Sequence, residues 1–193
     1  MQTAPHGPFV FVLRWIAQAG ASGRLTLRLT SRLTMSPPMN YWLMKSEPSE
    51  CSIDDLAQAP GQQLPWVGVR NYQARNFMRD QMQLGDGVLF YHSSCPKPEQ
   101  IGIAGLARVA SPAYPDATQF DPASPYFDAK ATVESPRWLH VDVRFERKTR
   151  LLSLAELRAE PRLASMRLLQ PGSRLSITPV TPDEWSVILS LLG

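Results

Sequence analysis

Cysteine is scarce in this chain: Cys51 and Cys95 are the two in 193 residues, neither belongs to a C-x-x-C pair, and the three histidines (His6, His92, His140) are scattered. A structural zinc site needs closer ligand spacing and a small disulfide scaffold needs more thiols, so both are excluded, and no metal or other cofactor is expected. Unpaired thiols fit a reducing compartment, so the expected location is the cytoplasm, or the nucleus or an organelle if the source is eukaryotic. Hydrophobic runs are short. The stretch Phe9 to Ile16 is broken by Arg14 and falls far below the roughly 20 residues a membrane span requires, so no membrane partner is expected. Signature motifs of catalysis are missing too: there is no P-loop, no G-x-G-x-x-G after a strand, no G-x-S-x-G and no H-E-x-x-H.

Acidic residues are missing from one region only. Residues 1–38 hold Arg14, Arg24, Arg28 and Arg32 and no acid; without them the chain keeps sixteen basic against seventeen acidic residues, a net charge of −1. The basic balance therefore belongs to the leading segment, and bulk charge gives no argument for a nucleic-acid partner. We read residues 1–38 as an extension, either a start codon placed too far upstream, with Met35 and Met39 as later candidates, or an organelle transit peptide. The domain is then 39–193.

With 44% hydrophobic and 19% charged residues, the chain buries roughly two thirds of its unfolded surface and forms a core without external staples. Tyr41 to Ser46 reads as a buried strand closed by Glu47-Pro48. Ser52 caps a helix over 52–59, and Asn71 to Met82 is an amphipathic helix burying Ala74, Phe77, Met78 and Met82. Val88 to Ser93 and Ile101 to Ala110 are strands. Residues 111–137, with five prolines, form a long loop of the kind that is usually functional or disordered. Leu139 to Glu146 alternates as a strand, which sends His140 to solvent. Capping boxes start helices at Ser153 and Thr181, and Arg174 to Val180 completes the strands; the last helix buries Trp185, Ile188, Leu189 and Leu192. The expected class is α+β: a small, mostly antiparallel, partly closed barrel with helices packed outside.

Two patches carry chemistry. His92 and Cys95 are close enough to suggest a nucleophile pair, although no activating neighbour can be named. The second patch, Trp66 to Asn76 (WVGVRNYQARN), packs an aromatic, small residues, cations and amides into a loop that feeds a helix start. Asn71 suits either a helix cap or a ligand role, and Trp66 either a core or a pocket. Arg70 and Tyr72 have no evident core task, and the helix start offers backbone N–H groups to an anion.

Five blocks in order, WLMKSEP (42–48), WVGVRNYQARNF (66–77), LFYHS (89–93), IAGLA (103–107) and PRWLHVDVRF (136–145), resemble the EVE domain family. The likeness runs from about Tyr41 to the C-terminus. It implies a PUA-like barrel related to YTH domains, no catalysis, and recognition of a modified base, cytosine with a 5-methyl or 5-hydroxymethyl group, in DNA or RNA. The base-binding pocket it implies takes in Lys45, Ser46, Trp66, Val69, Arg70, Asn71, Tyr72, Asn76, Tyr91, His92, Ser93 and Trp138, with Tyr91 and Trp138 as stacking rings and Ser46, Asn71 and Ser93 as edge readers. Phosphate contacts fall to Arg70 and Arg75, and to the stretch 144–174, where eight cations face three glutamates. The alternatives are a nucleic-acid-processing enzyme or accessory using His92 and Cys95, and a protein-interaction module whose aromatics are all core.

Overall fold

The computed structural model describes residues 39–193. The expectation for residues 1–38 lies outside them. Among the described residues no helix is long and apolar enough to cross a membrane.

The elements follow in order as β1 (Tyr41–Ser46), α1 (Ile53–Gln58), β2 (Gln63–Pro65), α2 (Tyr72–Asp80), β3 (Gly87–His92), β4 (Gly102–Val109), β5 (Tyr114–Pro115), β6 (Leu139–His140), β7 (Asp142–Ser153), α3 (Leu154–Ala159), β8 (Ile177–Val180) and α4 (Pro182–Leu192). One six-stranded sheet runs β2-β7-β4-β3-β1-β8, and β5 pairs with β6 separately. Every neighbour in the large sheet is antiparallel except β1 and β3. That parallel pair needs a crossover, which α1, β2 and α2 supply. The class is α+β as expected, and the sheet is not fully closed, with β2 and β8 as its two edges.

Side chains alternate across the sheet and build a core on each face. Trp42, Met44, Val88 and Phe90 pack with Trp66, Phe77 and Met78 of the α2 side; Leu43, Leu89, Tyr91 and Ile103 pack with Leu157, Trp185 and Ile188 of α3 and α4. Local chemistry sets the helix starts. Ser52, Ser153 and Thr181 each form a complete capping box with the acid three residues on, and Asn71 Oδ1 accepts from the N–H groups of Gln73 and Ala74 to cap α2.

Three expectations need correction. The strand over 139–146 is broken at Val141: β6 leaves to pair with β5, while β7 continues to Ser153 through two irregularities in its pairing with β4. His140 is therefore buried rather than solvent-facing, its ring edge-on to Tyr114 at 4.0 Å. Burial lowers its pKa against the pull of Asp116 and Asp142, so it is held neutral. In the last helix Leu189 and Leu192 are only partly buried.

Candidate functional site

A cleft of about 800 Å³ opens where the C-terminal ends of β1 and β3 meet the 64–69 segment. Its apolar lining comes from Leu64, Pro65, Trp66, Val67, Val69 and Val143, and its polar lining includes Lys45, Ser46, Ser93 and Arg174. Parallel pairing explains the convergence: β1 and β3 run side by side in register, Ser46 opposite His92, so both strands deliver their ends to one place. The Ser93 N–H donates to Ser46 O at 2.9 Å and locks the two ends together. Trp66 stands edge-on to Phe90 at 5.3 Å, which fixes its ring as a wall between core and cleft.

The polar groups divide by what they have left to give. Ser46 Oγ donates to Cys51 O at 2.6 Å, so toward the cleft it can only accept. The Lys45 ammonium makes no hydrogen bond or ion pair among the described residues, and half-burial lowers its pKa. Both residues line the cleft, so its polar side includes an acceptor-only hydroxyl and an ammonium without partners.

Tyr126, from the long loop, brings a ring to the same cleft. It lies flat against Gly68, which has φ +82°; a Cβ there would sit 2.6 Å from the ring. The phenol donates to Glu50 at 2.8 Å, and burial first, then that hydrogen bond, pushes its pKa up to about 12. Behind the ring, Arg70 donates to Tyr126 O and Thr118 Oγ1 and pairs with the fully buried Asp116 at 2.8 Å. Asp116 also accepts from Gly68 N–H and from Thr118 N–H and Oγ1. Burial opposes its ionisation, but the bonds from Thr118, Arg70 and Gly68 outweigh it and hold the carboxyl below its ordinary pKa.

Several residues expected in the pocket stand elsewhere. Tyr72 stacks on Trp138 at 4.8 Å, Arg75 lies over the Tyr72 ring, and Arg70 lies over the Trp138 ring. Trp138 Nε1 donates to Asp128, Arg137 donates to the Tyr72 hydroxyl, and Arg75 reaches both Asn76 Oδ1 and Arg137 O. This stack joins α2 to the 116–138 loop, and its arginines are engaged with the protein rather than presented to a phosphate. Asn71 is the α2 cap. Tyr91 is buried in the opposite core among Leu43 and Ile103, because side chains alternate along β3 and Tyr91 shares the face of Leu89 rather than that of Phe90. His92 Nε2 accepts from Ile53 N–H at 3.2 Å beneath Phe90, so it steadies the α1 start and leaves the cleft to its neighbours. Cys95 lies in a separate hollow with Pro48, Gln100 and Leu151, its thiol directed at backbone carbonyls. Thus Lys45, Ser46, Trp66, Val69 and Ser93 meet in one cleft, and Arg70, Asn71, Tyr72, Arg75, Asn76, Tyr91, His92 and Trp138 do not line it. Sequence reasoning missed Tyr126, for which Pro125 beside it in an overlong loop was the available signal, and included Arg174 only within the 144–174 cations.

A model of the EVE domain matches residues 40–191. The chain belongs to the EVE domain family. Thymocyte nuclear protein 1 of Mus musculus is 44% identical over 170 residues, covering 79% of this chain and 73% of that protein; the Homo sapiens protein is 43% identical with the same coverage. Among solved structures, a Pseudomonas putida protein is 51% identical with a TM-score of 0.74, covering 79% of this chain and 99% of that one. A crystal structure of the human THYN1 protein in complex with DNA containing 5-methylcytosine is 42% identical with a TM-score of 0.73, covering 79% of this chain and 96% of that one.

Proposed function

We propose that this EVE domain is a non-enzymatic reader that takes a modified cytosine, 5-methyl or 5-hydroxymethyl, from a nucleic acid into the Trp66–Tyr126 cleft. The observation that carries the reading is the cleft itself, apolar-walled and polar at one edge, in a chain 42% identical to a protein crystallised with DNA containing 5-methylcytosine. Extruding a base costs a few kcal/mol in lost pairing and stacking, and one aromatic face restores about 1 to 3 kcal/mol. Trp66 and Tyr126 are the rings in reach. Cytosine presents an exocyclic amine that donates beside a ring nitrogen and carbonyl that accept. Ser46, able only to accept, suits the amine, and Lys45, able to donate, suits the accepting edge. The 5-substituent then meets the apolar side formed by Leu64, Pro65, Val67, Val69 and Val143.

One methyl group in an apolar slot is worth about 1 to 3 kcal/mol, so the preference over plain cytosine is about 10- to 200-fold. A nucleophile reading receives less support. Burial first, and nearby Asp55 or Glu47 next, raise the pKa values of Cys51 and Cys95, which makes each thiol a poorer nucleophile, and His92 spends its acceptor lone pair on α1.

Fluorescence anisotropy with matched oligonucleotides carrying one 5-methylcytosine or one cytosine tests the reading. The chain is expected to prefer the methylated strand, and Lys45→Ala and Tyr126→Ala to weaken binding at least tenfold. Equal binding of both strands by the unaltered protein, or wild-type affinity in both variants, would falsify it.

A further inference from the structure

A second hollow of about 370 Å³ adjoins the cleft, lined by Asn71, Gln73, Arg167, Gln170, Ser173 and Arg174, with Pro171, Gly172 and Leu175. Arg174 lines both hollows. Two chain segments carry the walls from one to the other: Val69 lines the cleft and Asn71 the groove, while Ser176 lines the cleft and Arg174 and Ser173 the groove. The register of this junction is set by Lys45 N–H donating to Ser176 O at 2.8 Å and by Leu175 packing into the core.

The cations of this groove differ from half of the other fourteen in residues 39–193. Arg70, Arg79, Arg108, Arg137, Lys148, Arg150 and Arg162 all hold carboxylates. Arg167 and Arg174 are exposed and make no side-chain hydrogen bond or ion pair among the described residues. No acidic residue lines the groove; its other polar groups are amides and a serine. An acid-free channel with two uncommitted guanidiniums that runs out of a base cleft has the chemistry of a phosphate path, since guanidinium binds phosphate oxygens in a forked geometry and neutral amides add hydrogen bonds without repulsion.

We infer that the Arg167–Arg174 groove holds the phosphodiester backbone flanking the extruded nucleotide, with Arg174 on the phosphate nearest the base and Arg167 on a neighbour. The inference rests on the proposed reading of the cleft and assigns it a nucleic-acid strand rather than a free nucleoside as ligand. It also replaces Arg70 and Arg75 as the phosphate contacts.

The test uses the full chain, a short oligonucleotide with a single 5-methylcytosine, its unmethylated match, and free 5-methyl-2′-deoxycytidine. Arg167→Ala is expected to weaken both oligonucleotides equally and to reduce the slope of log K against log salt by about 0.7 on a single strand or about 0.9 on a duplex. Arg167→Lys should restore the slope, Arg158→Ala on α3 should leave it unchanged, and nucleoside binding should be the same in all. A slope unaltered by Arg167→Ala, in a protein that still prefers the methylated strand, overturns the groove and leaves the cleft standing. A slope lost equally in Arg158→Ala overturns it too, because the attraction is then diffuse. If the unaltered protein binds neither nucleoside nor methylated strand, the cleft reading fails and the groove with it.

Discussion

Two aromatic and cationic assemblies lie on either side of the 66–72 segment, and they have opposite characters. In the Tyr72–Trp138 stack every cation is shared with a ring, a carboxylate or a backbone carbonyl. In the Trp66–Tyr126 cleft, the Lys45 and Arg174 side chains hold no partner among the described residues, and about 800 Å³ lies between the walls. Composition alone does not separate them. What differs is whether the loop 111–137 folds back to satisfy the groups: it brings Asp116 and Asp128 to Arg70 and Arg137, and only the Tyr126 ring to the cleft. An aromatic beside an arginine is thus evidence of recognition only where its hydrogen-bonding capacity remains unspent.

The sharpest way to break this contrast is to remove Asp116, which joins both assemblies. Asp116→Asn leaves Arg70 mostly buried without its counter-charge and should cost about 3 kcal/mol, lowering Tm by roughly 6 to 12 °C in thermal unfolding. The pH dependence follows from the same carboxyl. Its folded pKa is held below the ordinary 3.8, so its contribution is complete above that value and is lost as pH falls through the folded pKa. The wild type should therefore lose stability below about pH 4 more steeply than Asp116→Asn, read from urea midpoints between pH 2 and 6.

Gly68→Ala attacks the cleft side instead. A side chain there meets the Tyr126 ring and occupies a left-handed backbone, so stability should drop by about 1 to 3 kcal/mol with a parallel loss of oligonucleotide affinity. Equilibrium denaturation and anisotropy on the same variant check both, and loss of stability with affinity unchanged would remove Tyr126 from the site.

Arg75→Ala should do least. It deletes a half-buried cation over Tyr72 and should cost about 0.5 to 1 kcal/mol while leaving the methyl preference and the salt slope unaltered. A reduced slope would restore Arg75 as a phosphate contact and erase the distinction between the two assemblies.

Features governed by neighbours along the chain were legible beforehand. The capping boxes at Ser153 and Thr181 and the strand over Tyr41–Ser46 stand as read, and of the two roles open to Asn71 the structure shows the cap. The break at Val141 was not, because an alternating pattern shows which face a residue prefers but not which partner strand it will find. Of the residues expected together, Ser46 and Trp66 line the cleft, whereas Tyr91 and Trp138, assigned as rings by type, are held elsewhere by Ile103 and by Tyr72 and Asp128. Arg174 was visible only as one of eight cations, since sequence shows charge but not whether a carboxylate has claimed it.

By itself the sequence determined the helix starts, the apolar periods that build two cores on one sheet, and the family, because these depend on residue identity at short spacing. Tertiary structure alone decided which rings and cations are spent as braces and which remain open. That division depends on where the twenty-seven-residue loop returns Asp116, and on the parallel pairing of β1 with β3, contacts whose partners lie forty or more positions apart.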